Sequence, residues 1–192
     1  MFETHTLAPL DPAHAPERAR PLLDGAKQKM GMVPNLYRVF AHAPAALEAY
    51  LNLAKVYDTT SFSPVERQVV LLAVSYENSC DYCMAAHSMI ATLAKTSPAV
   101  IEALREGAEV PEAKLDALAE FARAAVRKRG FVDPSELEAF YAAGYGEAQV
   151  LEVILGIALK TMSNYTNHVA ETPLDPAFSK FAWQPQAKSD AA

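Results

Sequence analysis

The feature that most restricts the fold is a helix-start signal that recurs along the chain. Ser63-Pro64-Val65-Glu66 puts a serine at the N-cap, a proline at the first helical position and a glutamate at the third. Serine and glutamate side chains there satisfy each other's orphan amides, and the proline's fixed φ suits the first turn. Asp133-Pro134-Ser135-Glu136 repeats this chemistry, and Ser97-Pro98 and Pro44 are shorter versions. After Ser63 comes Val69-Val70-Leu71-Leu72-Ala73-Val74, apolar on every side. A β-branched run also suits a strand, but the cap, the length and the helical neighbours predict a helix, buried at the centre of the domain.

The remaining chain supports an all-α fold. Residues 1–16 carry Pro9, Pro12 and Pro16 and read as an extended arm. Helices are expected over 17–30, closed by Gly31, over 34–41, 44–57 and 64–77, then over 80–95, 98–106, 111–129, 134–143 and 147–169. The last carries Val150, Val153, Ile154, Ile157, Ala158 and Met162 as an apolar stripe, with Leu151 and Leu155 beside it suggesting burial between subunits. Residues 17–170 read as one domain and 171–192 as a tail anchored by Trp183. No strand pair or Asn-Gly hairpin turn competes with this reading.

Composition narrows the function classes. Of 192 residues, 51% are hydrophobic and 21% charged, which suits a globular domain with a sizeable core. The net charge of -6 and the single short basic run Arg127-Lys128-Arg129 argue against nucleic acid as a partner. No apolar run approaches the roughly 20 residues of a membrane span. The N-terminus shows no charged-then-apolar leader, so a cytoplasmic protein is expected.

Both cysteines lie in Ser79-Cys80-Asp81-Tyr82-Cys83-Met84-Ala85-Ala86-His87. Positions i, i+3 and i+7 share one face of a helix, so Cys80, Cys83 and His87 form one stripe. Asn78-Ser79 is a turn-and-cap signal, which sets Cys80 in the first turn of the new helix, where the dipole favours a thiolate. Two thiols, a dipole and a base at these offsets point to a redox-active dithiol. Residue chemistry alone leaves the attacking thiol open. Cys80 is nearer the helix N-terminus, whereas Cys83 is four residues from His87. A zinc site is an alternative in which Cys80, Cys83 and His87 would need a fourth ligand such as His168, but only one chelating motif is visible.

Glu66-Arg67-Gln68-Val69-Val70-Leu71-Leu72-Ala73-Val74-Ser75 followed by Asn78-Ser79-Cys80-x-x-Cys83-x-x-x-His87 resembles the core of the AhpD-like alkylhydroperoxidases, in the carboxymuconolactone decarboxylase superfamily. Gly31-x-Val33-Pro34-Asn35-Leu36 and Asn164-Tyr165-x-Asn167-His168 resemble flanking signatures of its peroxidase-related branch. The resemblance spans about residues 30–175. It implies an all-helical obligate homo-oligomer, a trimer or hexamer, and a cysteine-based alkyl hydroperoxide reductase with no haem, flavin or other cofactor. It further implies Cys83 as the peroxidatic thiol, Cys80 as the resolving thiol and His87 in a proton relay. A lipoyl or thioredoxin-like dithiol would act as reductant.

Two positions depart from the family pattern. The relay acid is replaced by Gln68, which cannot take a proton. Glu66 lies two residues earlier, and its capping box already explains it. Tyr82 stands between the cysteines where founding members often have a second relay histidine, and a phenol is a poor proton acceptor at neutral pH. The relay is therefore expected to be weaker than in those members. A thiol–disulfide oxidoreductase with little peroxidase activity, a lactone decarboxylase-like enzyme and a zinc-binding domain are the alternatives on the same fold. Asn164, Asn167 and His168 are expected to line the same pocket or a subunit contact.

Overall fold

The computed structural model describes residues 7–185; residues 1–6 of the expected arm and 186–192 of the expected tail lie outside them. The helices are α1 (Arg20–Met30), α2 (Asn35–Phe40), α3 (Pro44–Tyr57), α4 (Pro64–Glu77), α5 (Asp81–Leu93), α6 (Pro98–Glu106), α7 (Ala113–Arg127), α8 (Pro134–Ala142) and α9 (Glu147–Ala170). Short 3-10 turns cover Pro12–His14 and Pro176–Phe181, and no strand occurs among the described residues.

The start signals act as the sequence predicts. Ser63 Oγ accepts from the Glu66 amide at 3.2 Å, and Glu66 Oε2 accepts from the Ser63 amide at 2.8 Å. Asp133 and Glu136 form the same box at α8. At the other end of α1, Gly31 takes φ +75° as the C-cap, a left-handed conformation that glycine adopts without a Cβ penalty.

Helix α4 is the hub. All seven residues from Val69 to Ser75 are buried, because α5, α6, α7 and α9 pack around it. Tyr145, Phe140 and Phe121 stack in series, closing the end where α7, α8 and the start of α9 meet. Beyond α9 the chain returns across α5. Trp183 packs on Tyr76 and donates from Nε1 to the Arg105 carbonyl, while Arg105 donates to the carbonyls of Phe181 and Ala182.

One expectation needs correction. The apolar stripe predicted for α9 faces the core only in part: Val153 is fully buried and Val150, Ile157 and Met162 pack against the core partly buried, whereas Ala158 is exposed and Ile154 is 51% exposed. The inner face is instead Val153, Gly156, Leu159, Lys160, Ser163, Asn164 and Asn167. Gly156 explains the rotation. A Cβ there would lie 2.8 Å from Val70 Cγ1 and 3.1 Å from the Tyr57 ring, so only glycine lets α9 approach α4 and α3 so closely. Leu151, Ile154, Tyr165 and Val169 consequently lie on the outside.

Gly156→Val is expected to destabilise the protein by about 1–3 kcal/mol, because neither the Val70 nor the Tyr57 side chain has room to withdraw. Gly25→Ala is expected to stabilise it by about 0.4–1 kcal/mol, because an added Cβ in the α1 interior meets nothing within 4 Å. Urea melts of the two variants check the opposite signs.

Candidate active site

The first turn of α5 is held on two sides. The sequence sets Cys80 in that turn; the structure places it one residue earlier, as the N-cap with extended backbone, after Ser79 at φ 55°. Cys83 follows at the third helical position, and both thiols are free and buried. Tyr82, between them, donates to Asp175 Oδ2 at 2.5 Å and accepts from the Leu36 amide. Asp175 also accepts from the Asn35 amide at 3.0 Å, so the returning C-terminal segment ties α2 to α5.

Helix α9 supplies the other side. Asn167 Nδ2 donates to Cys83 Sγ at 3.2 Å and reaches Cys80 Sγ at 3.8 Å. Ser163 Oγ lies 3.8 Å from Cys83 Sγ. Lys160, one turn before Ser163, has 0% exposure and lines the same cavity as Cys83. These three side chains project from the inner face that Gly156 seats.

The two sulfurs are driven in opposite directions. Burial opposes ionisation of Cys83. A hydrogen bond from Cys80, the charge and polar contact of Lys160, and the Ser163 hydroxyl outweigh it, holding the Cys83 thiol well below its ordinary range. Cys80 is pushed up, first by its hydrogen bond to Cys83 and then by burial. The surroundings therefore favour negative charge on Cys83 over Cys80.

His87 is partly buried, and its Nδ1 lies 2.9 Å from Gln68 Oε1. An amide oxygen only accepts, so Nδ1 carries the hydrogen and Nε2 keeps its lone pair. Burial, and then the Lys160 charge, hold the imidazole well below its usual pKa, so it is neutral.

Cys83, His87, Gln68, Tyr82 and Lys160 all line one cavity of about 620 Å³. Its walls include Tyr37, Tyr50, Tyr57, Leu71 and Phe178, and its mouth is marked by the exposed residues Lys29, Lys55 and Asp58. Cys80 does not line it, so a molecule in the cavity meets Cys83 first.

The remaining predicted positions separate. Glu66 is outside the cavity, occupied by its capping box, by the Tyr145 hydroxyl at 3.0 Å and by Lys114 at 3.6 Å. Asn164 accepts from Asn78 Nδ2, and His168 is exposed beside Tyr165. Among the described residues no three His, Cys, Asp or Glu side chains converge on a metal-sized space. Sequence reasoning missed Lys160 and Ser163. The signal available for them was Lys160-x-x-Ser163-Asn164-x-x-Asn167, a polar stripe at helical spacing.

The all-helical fold is similar to that of several solved structures. An uncharacterized peroxidase-related protein from Ralstonia eutropha JMP134, described as an alkylhydroperoxidase AhpD core, superposes with a TM-score of 0.79 at 21% identity, covering 95% of this chain and all of that one. An alanine variant of the debrominase Bmp8, in complex with 2,3,4-tribromopyrrole, gives 0.77 at 20% identity over 94% of this chain and 97% of that one. An uncharacterized peroxidase-related protein from Silicibacter sp. TM1040 gives 0.76 at 19% identity over 93% and 97%. No curated protein matches the chain. The carboxymuconolactone decarboxylase family model matches residues 42–128, from the loop before α3 to the end of α7.

A hydrogen bond to a charged group contributes about 1.5–3 kcal/mol, and one pKa unit is about 1.4 kcal/mol. Asn167→Leu is therefore expected to raise the titration midpoint of Cys83 by about one unit. The pH dependence of alkylation at Cys83, read by mass spectrometry, checks this, and an unmoved midpoint would remove Asn167 from the stabilisation of the thiolate.

Proposed function

We propose that the protein is a thiol-dependent peroxidase that reduces organic hydroperoxides through a Cys80–Cys83 dithiol/disulfide cycle. The observation that carries this reading is a buried, thiolate-favouring Cys83 that lines the cavity, hydrogen-bonded to a Cys80 that does not line it. The Cys83 thiolate attacks the terminal peroxide oxygen. An S–O bond forms, the O–O bond breaks, and the alkoxide leaves and is protonated. The sulfur of Cys80 then attacks Cys83, expelling the sulfenic oxygen as water with the Cys80 proton and closing the disulfide. His87, neutral with a free Nε2, relays protons within the cavity, and Gln68 orients it without taking a proton. An external dithiol of the lipoyl or thioredoxin type returns two electrons and two protons.

The cavity supports the substrate class. At about 620 Å³ it falls in the range of pockets that enclose small organic molecules, roughly 300–1,000 Å³. Its aromatic walls favour an apolar or aromatic body over hydrogen peroxide. They also support a second reading, given the fold shared with a debrominase. Cys83 would take a halogen from a halogenated heteroaromatic ring, a proton would replace it on carbon, and Cys80 would expel halide as the disulfide closes. A reducing compartment such as the cytoplasm suits either cycle. The outward apolar residues of α9, Leu151, Ile154, Tyr165 and Val169, support self-association, as in the proposed trimer or hexamer.

Cys83→Ser is expected to reduce peroxide consumption to the uncatalysed background. Cys80→Ser is expected to consume one equivalent and stop with sulfenic acid on Cys83. Cumene hydroperoxide is expected to exceed hydrogen peroxide in kcat/KM by about tenfold or more, as a filled apolar pocket allows. Stopped-flow turnover with a thioredoxin-type reductant and intact-mass trapping check all three. Sulfenic acid on Cys80 alone would reverse the roles, and full activity in the double Cys→Ser variant would favour lactone chemistry.

A further inference from the structure

Lys160 lines the same cavity as Cys83, and the cycle described above leaves it without a part. Its side chain is fully buried, and Nζ makes no aligned hydrogen bond to any described residue. A buried ammonium is costly unless it faces an anion. The groups around it leave one candidate. Its own helix presents Ser163 and Asn167, which are uncharged. From α2 and α3 come Tyr37, Tyr50 and Tyr57, each pushed up chiefly by burial and so neutral. From α5 comes His87, also neutral, and from α4 Gln68. Among the described residues Asp58 is the only carboxylate lining the cavity, and it sits at the exposed mouth with Lys29 and Lys55; buried Asp175, which does not line it, is engaged by the Tyr82 hydroxyl and the Asn35 amide. The candidate anion left beside Lys160 is Cys83.

We propose that Lys160 is the acid–base partner of Cys83, holding its thiolate and protonating the oxygen that leaves when the peroxide bond breaks. This rests on Cys83 as the attacking thiol. In the resting state the Cys83 proton resides on Lys160. As sulfur attacks, negative charge moves from Cys83 Sγ to the leaving alkoxide, and Lys160 gives it a proton, yielding alcohol and a neutral amine. Disulfide closure releases water from the Cys80 proton and the sulfenic hydroxyl, so it leaves the amine unchanged. When the external dithiol reduces the disulfide, Cys83 re-forms as a thiol and its proton returns to Lys160. A cation–thiolate pair thereby supplies what Gln68 cannot.

The test uses Lys160→Met and Lys160→Arg in the full chain. Alkylation of Cys83 by iodoacetamide, followed against pH with no peroxide present, is expected to move its midpoint up by one unit or more in Lys160→Met. That corresponds to a loss of about tenfold or more in rate below the midpoint. Lys160→Arg keeps the charge and is expected to keep the low midpoint. A guanidinium gives up its proton poorly. Turnover of hydroperoxides with increasingly basic leaving groups, from a peracid to tert-butyl hydroperoxide, is therefore expected to fall more steeply in both variants than in wild type. A wild-type midpoint in Lys160→Met overturns the ion pair. A wild-type leaving-group dependence in Lys160→Arg overturns the proton donation and still decides the matter if Lys160→Met does not fold. The alkylation arm needs no peroxide turnover, so it decides the pairing even if the peroxidase reading fails.

Discussion

Where α9 crosses α4 and α3, there is no room for a side chain on Gly156. That close seat sets which face of α9 looks inward, and the rest of the site follows from helical periodicity. Residues four, seven and eleven positions beyond Gly156 are Lys160, Ser163 and Asn167, and they lie along the face that meets the first turn of α5. A glycine that lines neither thiol therefore decides which groups surround them. The same rotation turns Leu151, Ile154, Tyr165 and Val169 outward, so one packing constraint sets both the inner polar face and the outer apolar one.

Magnitudes show why the start of a helix is not enough to make Cys83 a thiolate. A helix dipole at a surface end contributes about 0.3–1 kcal/mol, whereas burial alone raises a thiol by as much as about 3–5 pKa units. Cys80 and Cys83 share the same helix end, yet one is pushed up and the other down. The difference must come from local partners. A hydrogen bond to a charged sulfur contributes about 1.5–3 kcal/mol, and a unit charge about 4 Å away contributes about 4 kcal/mol at an effective dielectric near 20. A donor such as Asn167 combined with a cation such as Lys160 is of the size needed to offset burial; the dipole is not.

What could be read from the sequence was what local chemistry decides. The cap residues place α3, α4 and α6 at the expected bounds, because proline and the capping box act within one turn. The Cys80, Cys83 and His87 spacing and the capping role of Glu66 were legible for the same reason. The inner face of α9 was not. A search for apolar periodicity selects the stripe with the most hydrocarbon, and in α9 that stripe is only partly buried while lysine, serine and asparagine face the site. Lys160 reads as a surface residue until the Gly156 contact is known. The pairing of Tyr82 with Asp175 was also out of reach, since 93 residues separate them and nothing local links them.

That long-range pairing bears on how the thiols can cycle. Tyr82 is fixed to Asp175 and to the Leu36 amide, so the turn between the sulfurs is held while the fold is intact. Residues three apart at a helix start lie about 5–6 Å apart at Cβ, somewhat beyond the roughly 3.5–4.5 Å that a disulfide requires. Closing the bond thus takes a small shift of the N-cap residue Cys80, with Cys83 staying within the helix. A four-residue loop also restrains the unfolded chain little, so such a bond adds little stability. The core around α4 is complete without it. Stability is therefore carried by parts of the molecule other than the thiols, and in the proposed cycle the fold would not depend on whether the pair is open or closed.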